Sequence, residues 1–262
     1  MQLDLEGGAF VVTGASKGIG AATSLALSAE GASVLLVARG ADALADAASR
    51  CPGEADALAL DVTATDAPDR IVGRCVEQFG RIDGLVNNAG AARACDPQDL
   101  EDEDWRAQLD LNVMAPMRLI RASAPRMAEA GWGRIVNVCS TASRQPALRN
   151  AAYSVAKAGL LSLSSVAAKE WAPHGVLVNA VTPGVVETAM WVSPGGIADE
   201  VAEAEGKSRE QVLEEAHAEA PTGRLSTMEE VANVIAFLCS ERAGNIAGAA
   251  WAIDGGAVPT MY

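Results

Sequence analysis

The sequence predicts an α/β fold, a single doubly wound parallel sheet of about seven strands with helices on both faces. Two observations carry this. Short runs of consecutive apolar residues alternate with longer helix-like stretches along the whole chain, and an unbroken apolar run is what a strand shows when both of its faces are covered. The composition agrees, since 50% of the 262 residues are hydrophobic but only 4% are aromatic. A core made mainly of Ala, Val, Leu and Ile suits helices packed closely on a buried sheet.

The elements follow in order. Ala9 to Thr13 is an apolar run that passes directly into glycines, and Ser16 to Glu30 reads as a helix. Ser33 to Ala38 is the second strand, Ala41 to Arg50 an Ala-rich helix, and Ala57 to Leu60 a third short strand. Ala67 to Phe79 is helical and Gly84 to Asn87 is the fourth strand. Asp102 to Glu129 reads as one long helical stretch with a kink at Pro116, because a proline ring removes a helix donor and clashes with the preceding turn. Arg134 to Cys139 is the fifth strand, Tyr153 to Trp171 a helix and Val176 to Val181 the sixth strand. Glu229 to Ser240 is the last helix and Ala249 to Ile253 the last strand. No linker, low-complexity tract or long-period repeat interrupts the series, so residues 1–262 read as one domain.

One segment breaks the alternation. Thr188 to Pro221 is polar and acidic, carries Pro194-Gly195-Gly196 near its start and is helix-like from Ile197 to Ala220. It is too long for an ordinary connection. A lid over a substrate (residues 189–221) and a peripheral helix pair both fit it.

Bulk properties exclude several classes. With 20 Lys and Arg against 34 Asp and Glu, the net charge is −14, which leaves no electrostatic reason to bind nucleic acid or an anionic membrane surface. Five widely spaced cysteines and only two histidines point to reduced thiols in a cytoplasm and against a metal site. Met1 to Gly8 lacks the basic start of a signal peptide, and no apolar run has the length of a membrane span.

Two motifs carry chemistry. The first strand runs into Thr13-Gly14-Ala15-Ser16-Lys17-Gly18-Ile19-Gly20. Glycines let a diphosphate approach the backbone, and the following helix N-terminus favours its charge. A nucleotide site of this type would carry an acid at the end of the second strand to hold the ribose hydroxyls of NAD. Ala38 stands there instead, followed by Arg39, and Lys17 lies within the glycine turn. Two cations without a carboxylate suit the 2′-phosphate of NADP, though both also read as solvated surface residues. The second motif is Tyr153-Ser154-Val155-Ala156-Lys157. Residues four apart share a helix face, so the Lys157 ammonium lies near the Tyr153 hydroxyl. A cation there favours the phenolate and turns Tyr153 into a general acid/base.

In this order and spacing, the glycine turn, Asp61-Val62-Thr63, Asn87-Asn88-Ala89-Gly90, Asn112, Ser140, Tyr153 with Lys157, and Pro183-Gly184 resemble the short-chain dehydrogenase/reductase family over nearly the whole chain. The resemblance implies a Rossmann-type fold and a hydride transfer between a nicotinamide and an alcohol or ketone. It implies that Tyr153 exchanges the proton with the reacting oxygen, that Ser140 positions that oxygen, and that Lys157 binds the nicotinamide ribose and assists Tyr153. Asn112 would hold a water that links Lys157 to solvent. Gly14, Ser16, Lys17, Gly18, Ile19 and Gly20 would receive the diphosphate end, with Arg39 beside it. Asp61 and Val62 would meet the adenine, and Asn88, Ala89 and Gly90 would line the cleft, with Asn87 stabilising the sheet. Pro183, Gly184, Val186 and Thr188 would lie against the nicotinamide amide. No metal is implied. The pair Lys17 and Arg39 resembles the members that prefer NADPH over NADH.

The resemblance also places the substrate loops at Ala91 to Asp96, Thr141 to Asn150 and Met190-Trp191-Val192. Met190 and Trp191 would close over an apolar group. Arg93, Arg144 and Arg149 stand in the same loops, as ligands for a substrate anion or as ordinary surface ion pairs. By pattern the chain is similar to 3-oxoacyl-acyl-carrier-protein reductases. Such enzymes tend to dock an acidic carrier with basic residues just before the fifth and sixth strands. This chain has Gly131-Trp132-Gly133 and Pro173-His174 there, so a small-molecule alcohol or ketone is expected ahead of a carrier-bound thioester. A non-catalytic nucleotide-binding scaffold on the same fold is the remaining alternative, opposed by the complete set of Ser140, Tyr153 and Lys157. Family members assemble as tetramers or dimers, which implies a homo-oligomer built on the helices of 102–129 and 153–171 with the last helix and strand.

Overall fold

The computed structural model describes residues 2–92 and 95–259, with the side chains of Ala189 and Met190 outside that description. Arg93 lies outside the described residues. Seven strands form one sheet: β1 (Ala9–Thr13), β2 (Ser33–Ala38), β3 (Ala55–Ala59), β4 (Gly84–Asn87), β5 (Gly133–Val138), β6 (Val176–Pro183) and β7 (Ala250–Ile253). Their order is β3-β2-β1-β4-β5-β6-β7 and every pairing is parallel. The chain winds outward from β1 to β3, returns to β4 beside β1, then winds the other way. The reversal opens a crevice at the carboxyl ends of β1 and β4, the usual place for a ligand in an open α/β sheet.

Successive side chains of a strand point to opposite faces, and both faces are covered. Val11, Leu35, Ile135 and Val178 pack beneath α3 (Ala67–Phe79), α5 (Ala115–Glu129) and α6 (Ala151–Trp171). Phe10, Val12, Leu36, Val136 and Val181 pack on the other face against α1 (Gly18–Ala29), α2 (Ala41–Ser49) and α10 (Met228–Leu238). Gly84 makes room on β4 for the neighbouring ring, since a Cβ there would stand 2.1 Å from a Phe10 ring carbon.

Three expectations are corrected. The first helix starts at Gly18, because Ser16 and Lys17 remain in the turn, and Lys17 is extended as the N-cap. The stretch Asp102 to Glu129 is not one helix kinked at Pro116. It is α4 (Asp102–Leu109), a π-helical turn (Asp110–Met114) and α5, which follow one another without a break, with Pro116 in the first turn of α5 directly after the π-helical turn. The helix-like segment Ile197 to Ala220 is two helices, α8 (Ile197–Glu205) and α9 (Arg209–Glu219), preceded by a short α7 (Ala189–Val192). Gly206 ends α8 in the left-handed conformation, and Ser208 opens α9 with a capping box to Gln211.

Against the expectation that no run has the length of a membrane span, residues 148–174 are long and apolar enough for one by length and composition alone. This stretch contains α6, which buries Ala152, Ala156, Leu160, Ala167 and Ala168 within the fold.

Candidate active site

A cleft of about 1160 Å³ lies along the carboxyl edge of the sheet. Gly14, Ser16, Lys17, Gly18 and Ile19 line one end of it, and Ser140, Tyr153 and Lys157 line the other. The glycine turn is held from behind. Thr13 Oγ1 donates to the Val86 carbonyl and accepts from the backbone N–H groups of Asn88 and Ala89. The Asn88 amide donates to the carbonyls of Thr13 and Gly14. Gly20 does not line the cleft. A Cβ on it would stand 2.4 Å from the Gly14 oxygen and 2.5 Å from Asn88 Nδ2, so its bare backbone lets the turn and Asn88 pack on α1.

At the far end, Asp61, Val62, Ala38 and Arg39 line the cleft. The Asp61 carboxylate accepts from the backbone and hydroxyl of Thr63, which lowers its pKa below the ordinary value. Neither Lys17 nor Arg39 enters an ion pair among the described residues, and Arg39 acts on Asp61 only at longer range.

Tyr153 and Lys157 stand one turn apart on α6, with the Lys157 ammonium 5.6 Å from the Tyr153 ring centre. Ser140 is at the carboxyl end of β5, where its side chain caps a 3-10 turn by accepting from Ala142 N–H at 3.1 Å. The expected activation of Tyr153 by Lys157 is not borne out by the direction of its pKa. Burial pushes the Tyr153 hydroxyl up to about 12, against a hydrogen bond with Ser140 that pulls the other way. Lys157 is buried, donates to the Val138 carbonyl at 2.8 Å, and is pulled down to about 8 by burial. Burial is the largest cause for both groups, opposed for Tyr153 by the Ser140 hydrogen bond and for Lys157 by the nearby Cys139.

Asn112 lies behind this site in the π-helical turn and does not line the cleft. Its Nδ2 donates to the carbonyl and side-chain oxygens of Gln108, and its buried Oδ1 has no partner. That oxygen is 3.0 Å, and the Lys157 ammonium 3.3 Å, from where a Cβ on Gly90 would sit. Asn87 donates to Asn137 Oδ1, whose amide donates to the Ser164 hydroxyl, tying β4, β5 and α6 together. Asn137 and Ser164 are absent from the expected set. Their only trace in the sequence is a polar residue within a buried run.

Asn88, Ala89, Gly90, Pro183, Gly184, Val186 and Thr188 all line the cleft. Trp191 and Ile197 reach it from the segment that breaks the alternation. That segment has a small core of its own, where Ala198, Ala202 and Val212 pack with Trp191 and Leu213. Arg144 and Arg149 do not line the cleft. Arg144 donates to the Ala250 carbonyl, and Arg149 pairs with Asp96 at 3.3 Å.

Residues 9–195 match the short chain dehydrogenase family model. The chain is 38% identical to the short-chain reductase protein NovJ of Streptomyces niveus, over 94% of this chain and 92% of that one. It is 35% identical to the 3-oxoacyl-acyl-carrier-protein reductase of Thermotoga maritima, over 97% of this chain and 99% of the other. The structure of L-sorbose reductase from Gluconobacter frateurii, complexed with NADPH and L-sorbose, superposes with a TM-score of 0.93 at 34% identity, covering 100% of both chains. The chain belongs to the short-chain dehydrogenase/reductase family. It is an oxidoreductase that interconverts alcohols and ketones by hydride transfer.

Proposed function

We propose that this enzyme uses NADP(H) in preference to NAD(H) and acts on a neutral small-molecule ketone or secondary alcohol. One observation carries the reading: a single cleft has Ser140, Tyr153 and Lys157 at one end and, at the other, Lys17 and Arg39, two cations without an ion pair among the described residues. The glycine turn receives the diphosphate, with Gly20 shaping the turn from behind. Lys17 and Arg39 flank the 2′-phosphate, which an acid at Ala38 would repel. Asp61 and Val62 face the adenine. Asn88, Ala89, Gly90, Pro183, Gly184, Val186 and Thr188 line the nicotinamide half, and bound cofactor supplies or accepts the hydride.

Tyr153 holds the proton that goes to the carbonyl oxygen, and Ser140 positions that oxygen. Lys157 binds the nicotinamide ribose and lies in the proton path from Tyr153. Asn112 supplies a buried acceptor beside it for a relay water. Residues 189–221 form the lid of a single catalytic domain, 1–262. All five cysteines are free, in keeping with a cytoplasmic enzyme.

The substrate end favours a neutral ligand. Arg224 is the cation lining it besides Lys157 among the described residues, and both of its terminal nitrogens are held by Glu230. The segments before β5 and β6, where a carrier would dock, hold Gly131-Trp132-Gly133 and Pro173-His174 in place of a basic pair, on a chain of net charge −14. A carrier-bound thioester is therefore the second reading. That the similar L-sorbose reductase holds NADPH and a free sugar supports the first.

The test is steady-state kinetics with both cofactors, on small ketones and on an acetoacetyl carrier protein. We expect kcat/KM to be about tenfold or more higher with NADPH, the worth of one charge-assisted contact, and higher with free ketones than with the carrier. A preference for NADH overturns the cofactor assignment, and a preference for the carrier overturns the substrate assignment.

A further inference from the structure

The π-helical turn between α4 and α5 carries one side-chain amide whose orientation is fixed by its partners. The two ends of an amide look alike, so the groups around it decide which end is nitrogen. One end of Asn112 meets the Gln108 carbonyl at 3.1 Å and Gln108 Oε1 at 2.9 Å. A backbone carbonyl only accepts, so that end is the NH2 group, and Gln108 takes both of its hydrogens. The Asn112 oxygen then points away from Gln108, fully buried and without a partner among the described residues.

That direction leads to the reaction centre. A Cβ on Gly90 would lie 3.0 Å from Asn112 Oδ1 and 3.3 Å from Lys157 Nζ, so the amide oxygen and the ammonium flank the same point. Lys157 is buried and donates to the Val138 carbonyl. No carboxylate acts on it among the described residues. Tyr153 shares its helix, and Cys139 at the end of β5 acts on it by charge, but burial keeps that thiol protonated. The charged side chains of the surrounding elements are held elsewhere. Asp110 of the π-helical turn pairs with Arg118, Asp102 and Glu103 of α4 pair with Arg106, and Arg144 donates to the Ala250 carbonyl. The Asn112 amide is thus the polar group that favours the charged lysine from the side of the π-helical turn.

We propose that Gln108 is a positioning residue for proton transfer: it holds the Asn112 amide by its NH2 group and so keeps the amide oxygen turned to the Lys157 ammonium. This rests on the hydride-transfer reading above, which places Lys157 in the proton path. With the amide turned over, its NH2 group faces the ammonium, and a donor beside a cation disfavours the charge. The role needs no access from the cleft, because a dipole acts through space.

The chain has four lysines, so NMR of Cε-labelled lysine follows the titration of Lys157, assigned by the signal lost in Lys157→Arg. The test variant is Gln108→Met, which keeps the length of the side chain and removes its acceptor. We expect Lys157 to lose its proton about one pH unit lower than in the wild type, the usual scale of an environmental effect on a side chain. The alkaline limb of kcat for ketone reduction with NADPH moves with it, while the KM for the ketone stays within about twofold. Gln108→Glu, which keeps an acceptor, returns the midpoint to the wild-type value or above it. In an Asn112→Ala background Gln108→Met changes nothing further, since the effect passes through the amide. An unmoved Lys157 midpoint in Gln108→Met overturns the proposal. An equal shift in the Asn112→Ala background does so too, because it marks a merely structural residue. Where Gln108→Met does not fold, hydrogen exchange of the Asn112 side-chain NH2 in the wild type decides: slow exchange of both protons supports the two hydrogen bonds, and fast exchange rejects them. If no ketone is reduced with either cofactor, the hydride-transfer reading fails, and the NMR titration still judges Gln108 without turnover.

Discussion

At the scale of the residue, the reactive groups are set by burial more than by their neighbours. Tyr153 at about 12 is protonated throughout the neutral range, which suits a proton donor in ketone reduction. Lys157 is held near 8, below the ordinary value for a lysine. It is charged below that pH and loses its proton above it. Reduction is therefore expected to stay level on the acid side of about 8 and to fall on the alkaline side. The oxidation direction needs the phenolate and rises with pH, helped by the positive charge of an oxidised nicotinamide. A pH profile of kcat in both directions checks this, and matching profiles for the two would contradict it. Tyr153→Phe should lower kcat by about 10²–10⁴-fold, the usual worth of general acid catalysis, while the Kd for NADPH by fluorescence titration stays within about twofold. Retained turnover would remove Tyr153 from its role. The Tyr153 and Lys157 pair was legible in the sequence because four-residue spacing survives any helix. Their pKa directions were not, because desolvation depends on what the rest of the chain lays over them.

At the scale of the element, the glycine turn shows how one local segment is fixed by a distant one. Gly14 has φ +65 and a Cβ there would meet Ala89 Cα at 2.9 Å, so only glycine satisfies both the conformation and the approach. Gly20 faces the Gly14 carbonyl and the Asn88 amide instead of the cleft. Gly20→Ala should destabilise the protein by about 1–3 kcal/mol through overpacking. Thermal melting would then show a drop of several degrees, with α1 displaced and NADPH affinity reduced. An unchanged Tm would mean that the turn yields without cost. The same logic separates α8 from α9. Their helical patterning is readable in the sequence, but the break at Gly206 is not, because one glycine inside a helical pattern is often tolerated. Here Gly206 takes the left-handed conformation, and the capping box at Ser208 starts a new helix.

At the scale of the whole molecule, the outer helix faces carry an unmet apolar surface. On α6, Val155, Gly159, Ser162 and Val166 lie in one stripe at helical spacing, and Val155 and Val166 are exposed. Leu109 and Met114 are exposed at the end of α4 and in the adjoining π-helical turn. On the edge strand β7, Trp251 is partly exposed and packs on Phe237 at 5.8 Å between ring centres. Apolar side chains grouped on exposed helix faces mark an association site. We propose a homo-oligomer, a dimer across α4–α6 or a tetramer that also uses α10 and β7. Light scattering after gel filtration should give a dimer or tetramer mass for the wild type. Val166→Glu should shift it towards smaller species by burying a charge in that face. A wild-type monomer would refute the assembly.

The sequence by itself determined the succession of strands and helices, the two-sided burial of the sheet, the glycine turn, and the placing of Tyr153 over Lys157. Each of these rests on short-range spacing, which the chain carries wherever it folds. Only the tertiary structure decided that Asn112 is buried in a π-helical turn, that Asn87, Asn137 and Ser164 link two strands to a helix, and that Arg144 and Arg149 are bound away from the cleft. It alone left the buried Asn150 Oδ1 without a hydrogen-bond partner among the described residues. These depend on partners far apart in the chain, on the depth at which a polar group is buried, and on whether a hydrogen bond is left unmade. Periodicity and composition carry no record of such quantities.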